Sequence, residues 1–507
     1  MSLFVKKSIS GLLAQAGADS GNGLKKTLGA GSLVALGIGA IIGAGLFVRT
    51  ALAAGEHAGP AVTISFIIAA VGCAFAGLCY AEFASIIPIA GSAYTYAYAT
   101  MGEIIAWIIG WSLILEYALG AATVSISWSE YANKLLGGAI PYEWCHSPFE
   151  KAADAAGVLH HGLINLPALV ILLLLSLLLI KGTQESATVN AIIVFIKVAI
   201  VLVFIAIGWQ YVNPSNHTPY LIPDNAPDAL KPDNTYYSYK GFFDHGWGGV
   251  LRGAAVVFFA FIGFDAVSTA AQEAKNPKRD MPIGILGSLV VCTILYVLFS
   301  WVLTGVAPYT DFIKSGKEAS VSYAIETYMH NYHWLSLLVT IAILAGFSSV
   351  ILVMLMGQSR VFYTMSTDGL LPKVFSDLHP KFRTPYKSNM LLFIFVGLFA
   401  AFVPGDVTGD LTSIGTLFAF VLVCIGVIIL RKKEPNLVRP FKTPLVPLVP
   451  ILGIVVCTAM IVSLSEKTLV SAGVWMLAGL VIYFTYSKSR SKIGSAIDSL
   501  PNAKDFG

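Results

Sequence analysis

Charged residues are scarce in this sequence: they make up 12% of its 507 residues, about half of the roughly 25% that is usual in globular domains. Three stretches, 162–180, 282–310 and 411–430, contain no charge at all. Each is close to the ~20 apolar residues that an α-helix needs to cross a hydrocarbon core ~30 Å thick. Because a soluble protein could not cover its surface with so few charges, the composition predicts an all-α polytopic membrane protein.

Cysteine frameworks, metal-ligand spacings and catalytic motifs are also missing. Five of the six cysteines lie in apolar runs, where a cysteine is usually a small buried hydrophobe, and only Cys145 falls in a loop. The chain has no HExxH motif and no phosphate-binding loop, and its nine histidines fall in loops or at span ends. A net charge of +4 gives no reason to expect nucleic acid. We therefore expect no enzyme activity, no cofactor and no metal.

Twelve apolar segments are candidate membrane spans, numbered in chain order. They are 32–54, 60–86, 103–131, 162–180, 186–209, 246–270, 283–307, 334–363, 388–404, 410–430, 443–465 and 468–487. With twelve spans both termini share one side, and the bias of lysine and arginine decides which side is cytoplasmic. The termini's side holds 22 of the 32 basic residues, the opposite side holds nine, and Lys197 lies inside a span. This predicts a multi-pass protein of the cytoplasmic (plasma) membrane with both termini in the cytoplasm. The apolar stretch 9–14 is too short for a cleavable signal peptide.

Spans 1 and 6 differ from ordinary spanning helices. Four glycines cluster in the middle of span 1, at positions 37, 39, 43 and 45, and each costs about 1 kcal/mol in a helix interior. One interpretation is a packing face of small residues at Gly39 and Gly43. Span 6 also carries a glycine, Gly263, close to a carboxylate, Asp265. Spans 1 and 6 begin the two halves of a possible repeat, spans 1–5 and 6–10.

Paired interruptions of this kind are the best sequence pointer to a transporter site. A broken helix exposes free N–H groups on one side and free C=O groups on the other. Amides can hold a carboxylate and carbonyls can hold an ammonium, and a zwitterionic amino acid has both groups. The sequence therefore predicts a binding site where the two breaks meet.

Two charges fall near the middle of spans, Glu116 in span 3 and Lys197 in span 5. Such residues are costly in hydrocarbon and normally face a cavity or a partner. Either they form an ion pair that only holds helices together, or they serve in binding and proton coupling. Glu82, Asp265 and Glu273 lie where they could be gate charges or structural charges.

Four motifs occur in order along the chain, at 37–47, 80–96, 263–282 and 357–372. Together they resemble the motifs of the amino acid–polyamine–organocation (APC) superfamily of transporters. Their residues are most similar to those of the bacterial cationic amino acid transporter branch. The resemblance implies the leucine-transporter fold: twelve transmembrane helices, a 5+5 inverted repeat, and broken helices 1 and 6. It also implies secondary active transport of L-amino acids by alternating access. The expected divisions are a tail at 1–31, repeats at 32–209 and 246–430, a loop at 210–245, two final helices at 431–487 and a tail at 488–507.

The resemblance also implies roles for residues. The substrate carboxylate would meet the break of span 1, and the ammonium would meet carbonyls of spans 1 and 6, with Phe259 as a gate. Lys197 resembles the amine that replaces sodium in sodium-independent members, which implies coupling to protons or exchange. The predicted substrate-binding residues are Ile41, Ile42, Gly43, Ala44, Gly45, Glu116, Phe259, Ala260, Phe261, Ile262, Ser348, Ser349 and Leu352, with Lys197 and Glu116 in proton coupling.

The side chain of the substrate is expected to meet span 8 at Ser348, Ser349 and Leu352. The two serines leave room for the side chain of the substrate, and Glu116 could attract a cationic group on it. Long cationic and small neutral amino acids are therefore both expected. A neutral amino-acid symporter is the alternative if Glu116 is neutralised internally. An amino-acid exchanger is a further alternative, and a receptor or channel would belong to a different class. A branched side chain at Gly43 or Gly45 is expected to abolish binding without unfolding the protein. The surroundings of Cys145 do not resemble the heteromeric branch, so no accessory subunit is expected.

Overall fold

The structure is a computed structural model. It describes residues 3–8, 28–87, 92–153, 157–181, 187–269, 271, 274–314, 320–382 and 384–493. Residues 88–91 of the second motif and Glu273 lie outside these ranges, as do large parts of both predicted tails.

The first half of the described chain consists of apolar helices joined by short turns. Span 1 is divided into Ala30–Ile41 and a second helical run made of Gly45–Arg49, Thr50–Ala53 and Ala54–Ala58. The other helical segments of this half are Gly59–Ala61, Val62–Ile86, Ser92–Thr100, Glu103–Ile114, Leu115–Leu119, Gly120–Leu135, Tyr142–Trp144, Leu166–Lys181, Ala187–Gly208, Trp209–Tyr211 and Pro214–His217.

The second half of the described chain also has a divided helix at its start. Span 6 consists of Gly246–Val257, Phe258–Phe261 and, after a break, Ala266–Thr269. The remaining helical segments are Pro277–Val306, Asp311–Lys314, Ser320–Tyr328, His333–Thr367, Lys373–Phe375, Tyr386–Phe402, Gly405–Lys433, Leu448–Ser463, Glu466–Ile482, Tyr483–Ser487 and Lys488–Arg490.

The described residues contain two small β-hairpins in loops and an isolated parallel bridge between Leu28 and Ala274. Lys151–Ala153 pairs antiparallel with Leu159–His161, with Lys151 opposite His161. Ala229–Leu230 pairs antiparallel with Tyr236–Tyr237. The second hairpin belongs to the 210–245 loop, and we call its side of the protein the loop side.

Seven helices in the described residues are long and apolar enough to cross a membrane, and five shorter apolar helices of 10–17 residues accompany them. Together they include part of each of the twelve predicted spans. Segments 3–8 and 487–492 of the chain meet at one point: Lys7 donates to the Asp368 carboxylate, and the Lys492 amide donates to the Asp368 carbonyl. Both ends of the described chain therefore lie on one side of the protein, which we call the terminal side. The helices are those of an integral, multi-pass membrane protein.

The two divided spans lie in the interior, and other spans surround them. Ile42 is fully buried, and Ala260 is 1% exposed. In contrast, Phe195 of span 5 is 74% exposed and Val474 of span 12 is 62% exposed. Because large apolar side chains on the outside of a membrane protein contact lipid, spans 5 and 12 border the bilayer while spans 1 and 6 form the core.

Candidate functional site

Span 1 is broken near its middle. Its first helix ends at Ile41, and Ile42 takes an extended backbone with φ −73° and ψ 99°. Helical structure resumes in a π-helical turn, Gly45–Arg49. A helix end leaves backbone groups without partners in their own helix, so carbonyl oxygens lie on one side of the break and amide groups on the other.

Span 6 is broken where it passes the end of this first helix. Phe258–Phe261 tightens into a 3₁₀ turn, and Ile262 is extended. Gly263 has a φ of +109°, and a β-carbon there would lie 2.9 Å from the carbonyl oxygen of Ala40. Glycine adopts this conformation without steric penalty, so Gly263 allows span 6 to turn directly against span 1.

The two breaks touch through their backbones. A β-carbon at Gly45 would lie 2.2 Å from the Cα of Ala260, so a valine there would push span 6 away. This contact predicts that a branched residue at Gly45 destabilises the fold, contrary to the expectation from the sequence. At Gly43 the nearest atom would be Cγ2 of Val350 at 3.2 Å, a side chain that can move, so the expectation for Gly43 stays a prediction.

Tyr296 of span 7 joins the carbonyl ends of both breaks. Its hydroxyl oxygen lies 3.1 Å from the carbonyl oxygen of Ile41 and 2.9 Å from that of Ala260. These are two of the carbonyls expected to hold a substrate ammonium, and here they face Tyr296. One hydroxyl proton serves one acceptor at a time, and each carbonyl has two lone pairs, so both keep capacity for another donor. Phe261 packs edge-on against the Tyr296 ring at 5.2 Å.

Lys197 lies against the break of span 1. Its ammonium nitrogen donates to the carbonyl oxygens of Gly39 at 2.9 Å and Ile42 at 3.0 Å, and the residue is 2% exposed. A β-carbon at Gly346 of span 8 would lie 2.8 Å from Cε of Lys197. The cation thus lies between spans 1 and 8, at the C-terminal end of a helix, where the helix dipole favours positive charge.

Glu116 lies beside a second carboxyl group. It is fully buried in a π-helical turn, Leu115–Leu119, a feature that is frequent at functional sites. Its carboxyl group neighbours that of Asp265 and the hydroxyl of Thr416, but neither of its oxygens has a well-formed hydrogen bond to a described residue. Oδ2 of Asp265 accepts from the Tyr117 hydroxyl at 2.7 Å.

Glu116 and Lys197 do not form an ion pair with each other in the described structure. Lys197 donates to backbone carbonyls of span 1, whereas Glu116 shares its surroundings with Asp265 of span 6. The hypothesis of a Glu116–Lys197 pair that only holds helices together is therefore wrong. Sequence spacing placed both charges at mid-depth but carried no information about the faces on which they lie.

The three predicted positions on span 8 have different surroundings. The Ser348 hydroxyl donates to the Leu344 carbonyl and accepts from the Trp128 indole at 3.1 Å. The Ser349 hydroxyl is buried and has no hydrogen bond to a described residue, and Leu352 is 6% exposed. Ser349 follows Gly346 by one turn, so it lies on the same face of span 8 as the contact with Lys197.

Glu82 is held by several donors on the terminal side. Its carboxylate accepts from Arg431 at 2.8 and 2.9 Å, from Arg439 at 3.2 Å and from the Thr443 amide at 2.8 Å. These contacts tie span 2 to the end of span 10 and to the linker that follows. Of the two proposed roles, gate or structural charge, the geometry favours the structural one.

Ion pairs join segments of the chain on both sides of the breaks. On the loop side, Arg49 forms an ion pair with Asp410 of span 10, and its guanidinium lies 5.9 Å from the ring centre of Phe259. On the terminal side, Lys7 pairs with Asp368 at 2.6 Å, and the Tyr94 hydroxyl donates to the same carboxylate at 2.7 Å. Phe259 is 3% exposed and Ala44 is 1% exposed, so both residues are buried between these two ion pairs.

The 210–245 loop caps the loop-side end of span 1. The Tyr239 hydroxyl donates to the Gly55 carbonyl at 2.7 Å, and His57 lies 3.2 Å from the Asp244 carboxylate. Burial by itself would raise the pKa of Asp244, but hydrogen bonds from His57 and Tyr237 and the nearby Arg252 lower the pKa below its ordinary value. Asp244 therefore stays ionised and holds the loop to the end of span 1.

Sequence analysis missed three contributors to this site: Tyr296, Val350 and Arg49. Tyr296 and Val350 lie in apolar runs, where neither residue type stands out from ordinary core residues. Arg49 was counted only among the charges of the loop side. A polar hydroxyl inside the charge-free stretch 282–310 was the one signal that could have drawn attention to Tyr296.

Two interrupted helices that meet in the interior of a multi-pass membrane protein are typical of transporters. Comparison with known proteins gives the family: a family model described as amino acid permease matches residues 28–488. This chain belongs to that family, and with it to the APC superfamily of amino acid transporters.

Several relatives cover most of the chain. The branched-chain amino acid permease BcaP of Bacillus subtilis (strain 168) is 46% identical over 493 residues, 97% of this chain and 99% of the relative. The methylthioribose transporter of the same organism is 40% identical over 490 residues, with the same coverage. The vacuolar cationic amino acid transporter 4 of Arabidopsis thaliana is 35% identical over 421 residues, 82% of this chain and 65% of the relative.

Proposed function

We propose that this protein is a proton-coupled symporter that takes up L-amino acids across the cytoplasmic membrane by alternating access, without sodium. The observation that carries the proposal is the contact of the Lys197 ammonium with the carbonyls of Gly39 and Ile42. The charged amine stabilises the end of the first helix of span 1. Loss of its proton would remove that stabilisation and let this helix move.

The substrate would bind where the breaks of spans 1 and 6 meet. Its carboxylate would meet the backbone amides at Gly43, Ala44 and Gly45, since free N–H groups at the start of a helix favour an anion. Its ammonium would donate to the carbonyls of Ile41 and Ala260 beside the Tyr296 hydroxyl. These shared acceptors would link substrate binding to span 7.

Glu116 and Asp265 form a second site that can hold a proton. Two carboxylates side by side in a buried place repel each other, and charge there is costly, so the pair keeps at least one proton. When Glu116 carries that proton, it has no charge with which to attract a cationic side chain. That protonation state favours the neutral amino-acid alternative over a cationic one.

We therefore propose neutral amino acids, including branched-chain ones, as the preferred substrates, with cationic amino acids as the second candidate. The name of the Bacillus subtilis relative BcaP supports the first choice, and the plant cationic amino acid transporters support the second. An exchanger is the alternative mechanism. Methylthioribose has neither of the charged groups that the two breaks would hold, so it serves as a third test substrate.

The test is uptake of radiolabelled leucine, alanine, arginine and methylthioribose into liposomes that contain only this protein. We expect leucine or alanine to accumulate under an inward proton gradient, with or without sodium. Lys197→Met should remove the response to the gradient, while Lys467→Met, an exposed lysine, serves as the control. Sodium-dependent uptake, or gradient-driven uptake that survives Lys197→Met, would overturn the coupling proposal. Preferred uptake of arginine would overturn the substrate proposal alone, and uptake that requires amino acid inside the liposomes would identify an exchanger.

We also propose the membrane topology. The surplus of lysine and arginine on the terminal side supports twelve spans with cytoplasmic termini, and the similar construction of spans 1 and 6 supports a 5+5 inverted repeat. In intact cells, an impermeant thiol reagent should label a cysteine introduced at Asn234. A cysteine introduced at Ser8 should react only after the cells are opened. Labelling of both from outside would contradict this topology.

A further inference from the structure

A groove of about 620 Å³ lies on the terminal side, and none of the residues of the two breaks lines it. One wall is the start of helix Pro277–Val306, which forms span 7. The other wall is formed by Pro440 and Phe441, in the linker between spans 10 and 11. The transport mechanism proposed above makes no use of this groove.

The mouth of the groove lies at the boundary of the membrane. Helix Pro277–Val306 has 30 residues, and at ~1.5 Å per residue it is about 45 Å long, longer than a hydrocarbon core of ~30 Å. The charge-free stretch 282–310 occupies most of its length. Lys278 and Arg279 precede this stretch by one turn, which places their side chains at the level of the lipid headgroups.

The lining of the mouth is basic. Lys278 and Arg279 both line the groove, and both are exposed. The neighbouring carboxylate of Asp280 is 8% exposed and accepts from the Asn276 amide at 3.2 Å, so it caps its own helix. The two cationic side chains are therefore available to an anion.

The depth of the groove is apolar and continues onto the surface that faces lipid. Ile283, 41% exposed, lines the groove one turn beyond Arg279. Further along the same face of the helix, Val290 is 59% exposed and Ile294 is 56% exposed. Positions 283, 287, 290 and 294 are three or four residues apart and so form one stripe. An acyl chain can follow this stripe from the groove into the bilayer.

The opposite wall is fixed in place. The Phe441 amide donates to the Ser85 hydroxyl at 3.3 Å, and the Thr443 amide donates to Glu82 at 2.8 Å. Gly287 contributes no side chain to the groove, and a β-carbon there would lie 3.0 Å from Val34 of span 1. The groove is therefore a preformed site with protein on both sides, unlike the open surface of span 5.

We propose that this groove binds one anionic phospholipid. Its phosphate contacts Lys278 and Arg279, and one acyl chain lies along Ile283 and Val290. An anionic headgroup is preferred over a zwitterionic one, because a choline or ethanolamine group would place a second cation beside two basic side chains. The contact of Gly287 with Val34 puts the bound lipid next to the first helix of span 1.

The test is native mass spectrometry of the full-length protein, titrated with phosphatidylglycerol, phosphatidylcholine and soluble glycerol 3-phosphate. The test variant is Lys278→Gln/Arg279→Gln. The control variant is Lys432→Gln/Lys433→Gln, which removes two exposed basic residues from the end of span 10. Thermal melting without added lipid confirms that each variant is folded. A second readout is leucine uptake in liposomes of either lipid.

We expect one phosphatidylglycerol to bind more tightly than phosphatidylcholine to the wild type and to the control. At about 5-fold for each basic side chain near a membrane surface, the test variant should lose roughly 25-fold in this affinity. Equal binding of both lipids, or equal losses in the two variants, would overturn the proposal. If glycerol 3-phosphate binds as tightly as phosphatidylglycerol, the groove is a site for a soluble anion and the phospholipid proposal is overturned. Because the readout is binding, failure here leaves the transport proposal unaffected, and the uptake assay tests that separately.

Discussion

Glu82 and Glu116 are both fully buried glutamates in membrane spans, yet their surroundings are opposite. Glu82 accepts from two arginines and a backbone amide. Glu116 lies beside another carboxyl group and has no well-formed hydrogen bond to a described residue. Full satisfaction of a buried charge rigidifies a structure, whereas an unsatisfied polar group in the interior is costly and is usually retained for function. Burial of a glutamate alone therefore does not separate a structural role from a role in transport.

The largest expected effect is on Glu82. Glu82→Gln leaves Arg431 and Arg439 without their carboxylate, and breaking a buried ion pair from one side typically costs ~3–5 kcal/mol of stability. We expect low yield and a lower melting temperature in detergent, with uptake per folded molecule little changed. Glu434→Gln, an exposed glutamate of the same linker, is the control. A normal melting temperature together with altered gating would show that Glu82 is a gate.

Gly45 and Gly43 extend the comparison from charge to packing. Gly45→Val places a side chain against the Ala260 backbone, and overpacking of this kind costs about 1–3 kcal/mol or more. Gly43→Val meets only the Val350 side chain, so the protein should fold but bind substrate poorly. Melting temperature and substrate-induced thermal shift should separate the two variants. A Gly45→Val protein as stable as wild type would show that the two breaks can separate freely.

Glu116→Gln is expected to change stability by less than about 1 kcal/mol, since no well-formed hydrogen bond is lost and a repulsion is removed. Its effect should instead appear in the pH profile of uptake, which we expect to become flatter. Uptake measured at several external pH values checks this, with Glu103→Gln as a comparison at another buried glutamate. A large loss of stability with an unchanged pH profile would place Glu116 with Glu82 as a structural charge.

The smallest effect concerns Asp244, a carboxylate at the solvent-exposed loop rather than in the membrane. Its lowered pKa means that its stabilising contribution is present above the ordinary value of 3.8 and is lost as the pH falls through the lowered pKa. Asp244→Asn should cost about 0.5–1.5 kcal/mol at pH 7 and almost nothing once the pH is below the lowered pKa of Asp244. Limited proteolysis of the 210–245 loop measures this difference. Equal sensitivity of wild type and variant at pH 7 would contradict the role of Asp244 in holding the loop.

Much of the architecture could be predicted from local patterns. The charge-free stretches predicted helices that could cross a membrane, because a spanning helix needs only a minimum length of apolar residues. The glycine cluster predicted the break of span 1, since glycine weakens a helix wherever it occurs. Gly263 next to Asp265 predicted the break of span 6 for the same reason. These features depend on neighbours along the chain, which the sequence contains in full.

The partners of buried groups depended on distant contacts. Spacing placed Glu116 and Lys197 at similar depth and left open whether they pair. Helix rotation directs Lys197 to carbonyls of span 1 and Glu116 to Asp265. Tyr296 carried no sequence signal as a bridge between two breaks, because its role exists only where spans 1, 6 and 7 pack together. Ser348 was expected to contact the substrate, yet its hydroxyl accepts a hydrogen bond from the indole of Trp128 in span 3.

The sequence by itself determined that this chain enters a membrane, where its helices break and to which family it belongs, since composition, glycine content and motifs are local properties. Only the tertiary structure decided which buried charges have oppositely charged partners and which lie beside a group of the same charge. Hydrogen bonds and ion pairs act over about 3–4 Å, and residues hundreds of positions apart come within that range only when the helices pack. Glu82 and Arg431, 349 residues apart, are the clearest case.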